Sequence, residues 1–219
     1  YNTTTLRRQI FRDGVLIIDS IMVNPYNGNN DLLLGAIYNW ISPDFEGNMD
    51  DVSIWDKVLT QQEIQQYMSC PPTANDAGLV VYYNFEEGSG STALDLSGNG
   101  NNGTANGNPI QTATGYNETS NNSAMEFDGV DDYIQLSSSV RVGTTPITVM
   151  FRAKTDSYSV TAGMDIISQA CDNDNNDCDG DFRLQFSTGQ CELEGLSFKS
   201  PAHFATYPFN IGDNAWHNY

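Results

Sequence analysis

The densest run of metal-ligating side chains is Cys171-Asp172-Asn173-Asp174-Asn175-Asn176-Asp177-Cys178-Asp179-Gly180-Asp181, with five aspartates in ten residues. Hard carboxylate and amide oxygens at alternate positions, with a glycine at the bend, are the donor set that Ca²⁺ requires. Asn175, Asp177, Asp179 and Gly180 match the first, third, fifth and sixth positions of an EF-hand loop, but the twelfth position is Phe186 instead of a bidentate glutamate. A complete EF-hand is therefore excluded. Two readings stay open: a Ca²⁺ site drawn from Asp172, Asp174, Asn175, Asp177, Asp179 and Asp181, or a solvated acidic hairpin extension. Carboxylates this close repel one another without a counter-ion, which tilts the balance toward metal.

Cys171 and Cys178 bracket that loop, and a disulfide between them would suit an extracellular setting and preorganise the ligands. Cys191 shares a strand face with Leu193 and reads equally well as a buried thiol, and Cys70 has no obvious mate. Three connectivities are open. Carbohydrate recognition asks for an exposed aromatic ring, and Tyr82, Tyr133 and Trp55 fall on outward strand parities, where they either stack on a ligand or simply cover the sheet. Nucleophilic or metal-assisted catalysis has little to work with. There are two histidines, His203 and His217, and the sequence contains no nucleophile elbow, HExxH or Walker loop.

The elements that must position these groups read as β. The chain has 219 residues, 39% of them apolar and only 17% charged, so a core is expected and full disorder is not. A net charge of −19 makes nucleic-acid backbones and anionic membranes poor partners. No apolar run approaches the roughly 18 residues of a membrane span. Asp13-Gly14 predicts a tight hairpin over 11–18, and 31–37 reads as a short apolar strand. In the strand 48–55 the apolar parity shifts between Met49 and Val52, which requires a bulge at Asp50-Asp51 or an inward-pointing carboxylate. Thr60 and Glu63 make a capping box for one short helix near 61–68, and Pro71-Pro72 opens a linker over 70–77. Leu79, Val81, Tyr83 and Phe85 then alternate as the inward face of a strand, and further short alternating strands run on to the end. The expected fold class is all-β, an antiparallel sandwich of the jelly-roll kind.

The order of motifs resembles the laminin-G-like, concanavalin A-like jelly-roll family. The pieces that carry the resemblance are "GLVVYYNFEEGSGSTALDLSGNGNNGT" (78–104), "AMEFDGVDDYIQL" (124–136), "TPITVMFRAKT" (145–155), "AWHNY" (215–219), "IFRDGVLI" (10–17) and "FEGNMDDVSIWDKVLTQQEI" (45–64). Against the family order the chain is rotated, with the closing half first. The expectation is a window from a tandem array: 1–69 the C-terminal portion of one sandwich, 70–77 a linker, and 78–219 the N-terminal portion of the next. Alternatively, the two portions close together as one permuted domain, with 48–55 pairing with 79–85.

The resemblance also implies site residues. Family members carry a structural Ca²⁺ at the sandwich edge, which places Asp95 and Asn99 of the Gly-rich loop, with Asp50, as ligands, and Asp131 and Asp132 as a further pair; the competing reading is that these residues build Asx turns. It assigns His217, after Trp216, a structural place in a strand. The same fold hosts glycosidases, and Glu192 and Glu194 share a face, but the central aspartate of that acidic pattern is missing. The function implied is a non-catalytic, calcium-stabilised module that binds a glycan or an extracellular protein. It would sit beside neighbouring repeats in a secreted or cell-surface bacterial protein. The alternatives are a glycoside hydrolase, or a module appended to one, and a spacer in an adhesin stalk.

Overall fold

Asp13 and Gly14 adopt φ of +51° and +72°, the left-handed pair that a two-residue primed turn needs, and so join β1 (Arg7–Arg12) to β2 (Val15–Ile21). The computed structural model describes the chain except residues 1, 3, 22–29, 37–43, 113, 117–121, 141–144, 156–163, 170–180, 188–189, 197–204 and 209–211, and describes the backbone alone at 181, 183, 185–187, 190–196 and 205–208. After the hairpin come β3 (Leu33–Leu34), β4 (Glu46–Trp55), the helix α1 (Gln61–Ser69), β5 (Leu79–Tyr83), β6 (Thr92–Ala93), β7 (Gly103–Asn106), β8 (Ile110–Thr112) and β9 (Ala124–Asp128). The remaining strands are β10 (Tyr133–Gln135), β11 (Thr148–Lys154), β12 (Met164–Gln169), β13 (Asp181–Ser187), β14 (Gln190–Leu196), β15 (Ala205–Pro208) and β16 (His217–Asn218).

All strand pairs are antiparallel and build two large sheets. One has the order β15-β14-β13-β12-β3-β10-β7-β6, and the other β16-β11-β4-β9-β8, with β5 also on β4. Long β4 is the hinge of the second sheet. Its first residues pair with β9 and its last, Val52 to Trp55, with β5, while β11 runs along the opposite side. Residues from before and after the Pro71-Pro72 segment therefore share one sheet. They also share one core, in which Ile10, Met49, Val52 and Ile54 pack with Val81, Tyr83, Phe127, Ile134, Ile167 and Phe182. The fold is an antiparallel β-sandwich of jelly-roll type with one short helix, as the strand periodicity implies.

Local departures from simple alternation have physical causes. Both options at Asp50-Asp51 are realised: Asp51 has φ +49°, two β4 residues (Asp51 and Val52) face one of β11 between Met150 and Arg152, and Asp50 is fully buried. A second bulge between Ile54 and Trp55 places Trp55 opposite Leu79, skipping Val80. That extra residue moves Leu79 out of the inward set expected for it and into an outer cluster with Trp55, Tyr82 and Ile64. Helix α1 covers this cluster. Its capping box is complete, with Glu63 N–H donating to Thr60 Oγ1 at 3.2 Å and Thr60 N–H to Glu63 Oε2 at 2.7 Å.

Candidate functional site

The turn between β9 and β10 gathers acids. Gly129 takes φ +75°, and a Cβ there would meet Glu46 Cβ at 2.9 Å, so the sharp bend belongs to glycine. Asp128 Oδ1 accepts from Val130 N–H at 2.9 Å, and Asp132 Oδ2 accepts from Asp128 N–H at 3.0 Å. The result is that carboxylate oxygens of Asp128, Asp131 and Asp132 lie within 4.8 Å of one another. Asp44, just before β4, forms an isolated parallel bridge with Asp165 of β12 beside them. Burial first, and then the charges of Asp165, Asp131, Asp128 and Asp132, push the Asp44 carboxyl up to about 6. Asp132 is likewise raised, mainly by burial, with Asp128, Asp131 and Glu126 adding repulsion. An oxygen-only set this close suits a hard divalent cation, and Asp128, Asp131 and Asp132 are the residues that would hold it.

Other carboxylates expected to bind metal are used differently. Asp50 accepts from Asp51 N–H at 2.7 Å and Tyr116 N–H at 3.0 Å, and burial followed by the Asp51 charge pushes it up to about 7. It is an enclosed structural group and not an edge ligand. Asp51 accepts from the Tyr82 hydroxyl at 2.7 Å and pairs with Arg152 at 3.1 Å. Arg152 lies 3.6 Å from the Tyr116 ring centroid and donates to the Met68 carbonyl at 2.7 Å. Asp95 braces the Gly-rich loop through the N–H groups of Tyr82, Ser97 and Asn101 at 3.1, 2.9 and 2.8 Å. Asn99 donates to the carbonyls of Leu79 and Val80. Asp95 and Asn99 thus follow the Asx-turn alternative and tie the loop to β5.

The aromatic residues need correcting as well. Trp55 is fully buried and Tyr82 is 6% exposed. Both do leave the sandwich on its outer face, but α1 lies over them, with Tyr67 packed 4.6 Å from Trp55. Neither can stack on a ligand; Tyr133 is half-buried at the start of β10. His217 is a tie, its Nδ1 2.8 Å from Asp13 and its Nε2 3.1 Å from Asp213. Asp172, Asp174, Asn175, Asp177, Asp179, Cys171, Cys178 and His203 lie outside the described residues, and Asp181, Glu192, Glu194 and Cys191 are described by backbone alone. Cys70 is a free, exposed thiol.

Residues 1–65 match a laminin-G-type family model described as the concanavalin A-like lectin/glucanases superfamily. The matched stretch holds β1 to β4 and the start of α1, including Asp44 and the bulged Asp50-Asp51. Comparison with curated proteins gave no match, and comparison with solved structures gave none. Among the described residues no helix is long and apolar enough to cross a membrane.

Three members of the acidic group escaped sequence reasoning. Asp128 stood next to the "DGVDDY" pair, Asp44 had no periodic context, and Asp165 sat in the apolar run "MDIIS". A lone carboxylate inside an apolar strand was the available signal, because burying one requires a partner or a neutralising event.

Proposed function

We propose that the chain is a non-catalytic binding module of lectin type, acting on a glycan or an extracellular protein surface and stabilised by Ca²⁺. Its place would be a secreted or cell-surface protein beside neighbouring repeats. The observation that carries this is the superfamily match over residues 1–65, whose strands lie in the same sandwich as the acidic turn. The superfamily's description covers both lectins and glucanases, so chemistry must decide between them. The described acids support binding: the Asp128, Asp131 and Asp132 oxygens lie close enough together to share a cation, and both ring nitrogens of His217 already face carboxylates. When bound, Ca²⁺ would supply charge neutralisation and fix the β9–β10 turn relative to β4.

The test is a glycan and extracellular-matrix protein array probed with the intact chain in Ca²⁺ and in chelator, run beside hydrolysis assays on β-glucan and xylan. Binding that weakens in chelator, without turnover, is expected. Turnover abolished by Glu192→Gln or Glu194→Gln would reverse the reading in favour of a hydrolase.

A further inference from the structure

We propose that the sandwich edge between β6 and β8 is a strand-addition site for an extended, neutral-to-basic peptide segment of another protein. This rests on the reading of the chain as a binding module and names a partner class and a place for it. Each large sheet ends here: β6 is the last strand of one and β8 the last of the other. Each therefore has a single strand neighbour among the described residues and carries unpaired backbone groups on its free side. Beside β8 and the segment leading into β6 opens a groove of about 690 Å³, lined by residues 88–91 and by Ala105 and 107–111.

Several features make this groove suited to a backbone. Gly88 and Gly90 have open space where a side chain would stand, so another chain can approach their backbone closely. Glu87 sets the separation of the two edges, accepting from Leu94 N–H at 2.7 Å beside β6 and from Gln111 Nε2 at 2.7 Å in β8. Gln111 Oε1 is buried with no hydrogen-bond partner among the described residues, an acceptor open to a donor from outside. Ile110, 61% exposed on the edge strand, offers an apolar contact for an alternating side chain of the incoming strand.

The lining also discriminates among occupants. Its described residues include no aromatic ring, which removes the stacking platform a saccharide would use. They include no cationic side chain, and the chain's net charge of −19 opposes acidic peptides and a second copy alike. A neutral or lysine-bearing extended peptide meets none of these obstacles.

The experiment titrates the ¹⁵N-labelled full chain with a capped hexapeptide of alternating valine and threonine carrying one lysine, and with its derivatives N-methylated at alternate amides. Shift changes should centre on Gly88, Gly90, Ile110 and Gln111. N-methylation in one register, but not the other, should weaken binding roughly tenfold or more, because strand pairing uses every second amide. Ser89→Trp, which fills the groove from an exposed position, and Ile110→Asp should each do the same while leaving the folded amide spectrum otherwise intact. Indifference to methylation in both registers overturns the proposal, as does the absence of shifts at the groove. It is also overturned if the same residues respond instead to neutral tetrasaccharides or to protein concentration alone. A glycan or matrix protein that binds elsewhere on the chain, with the groove silent, would sink this site while leaving the binding-module reading standing.

Discussion

One group of aspartates lies in the middle of β4 and another gathers around the residue just before it, and the two have opposite fates. At Asp50-Asp51, one carboxylate is enclosed by backbone N–H groups and the other is matched by Arg152 and Tyr82 under helix α1. At Asp44, Asp128, Asp131, Asp132 and Asp165, the charges acting on Asp44 are all negative. The same side chain is thus a finished internal structure in one place and a member of a like-charged cluster in the other. Residue type and spacing did not separate them. What separates them among the described residues is that Arg152 is folded against the first group, whereas the charges around Asp44 have its own sign.

The sharpest way to break the comparison is to turn the first group into the second. Arg152→Met removes the guanidinium while keeping bulk, and leaves Asp51, the Tyr82 hydroxyl and the Met68 carbonyl facing one another. Arg152 and Asp51 side chains are only 6% and 17% exposed, so a loss of about 3–5 kcal/mol is expected in urea unfolding. A loss below about 1 kcal/mol would mean that water already screens the pair and that the two clusters are alike.

Asp50 offers the next test. Its carboxyl is pushed up to about 7 in the folded chain from an ordinary 3.8, so between these values the native state holds a proton that the unfolded chain has lost. The stabilisation from the protonated group is full below pH 4 and disappears as pH rises through about 7. Asp50→Asn keeps the neutral form at every pH and should remove this downward slope, worth on the order of a few kcal/mol. Parallel stability curves for the two proteins from pH 4 to 8 would show that Asp50 ionises freely.

Much of this architecture is legible in the residues. Alternation at 79–85 and 124–136, the Asp13-Gly14 turn and the Thr60/Glu63 box each dictate an element through local sterics or local hydrogen bonds, and each forms. The bulge at Asp50-Asp51 was visible as broken parity. The covering of Trp55 was not, because strand periodicity reports which face a residue takes and not what later packs on that face. Nor was the assembly of Asp44 with Asp128 and Asp165. It depends on bringing together β12, the β9–β10 turn and the segment before β4, and no local pattern encodes that proximity.

Calcium sharpens the contrast from the other side. If Asp128, Asp131 and Asp132 hold the ion in the folded chain alone, Ca²⁺ at roughly a hundredfold above its Kd should add about 2.7 kcal/mol of stability. Asp131→Asn should reduce that gain, while Asp50→Asn and Arg152→Met should leave it intact. Calorimetry with Ca²⁺ on the three variants checks the assignment. A gain abolished by Asp50→Asn, or no heat and no change in melting temperature for the parent chain, would refute it.

The smallest effect probes the cover over the first cluster. Thr60 closes the N-terminus of α1, and Thr60→Ala removes its side-chain bond to Glu63 N–H, with an expected cost of about 1 kcal/mol. Glu63 also pairs with Lys57 at 3.1 Å, which retains part of the first turn. The loosened helix still supplies Met68's carbonyl to Arg152, so its fraying should be felt at the buried Asp51–Arg152 pair before it is felt anywhere near Asp131. Amide hydrogen exchange reads this directly: faster exchange in α1 and at Ser53 and Trp55, with the β9–β10 turn and its calcium response unchanged. Equal acceleration at Ser53 and Trp55 and in the β9–β10 turn would mean that the two acidic groups are coupled through the strand, and that the cap guards the whole sheet instead of one cluster.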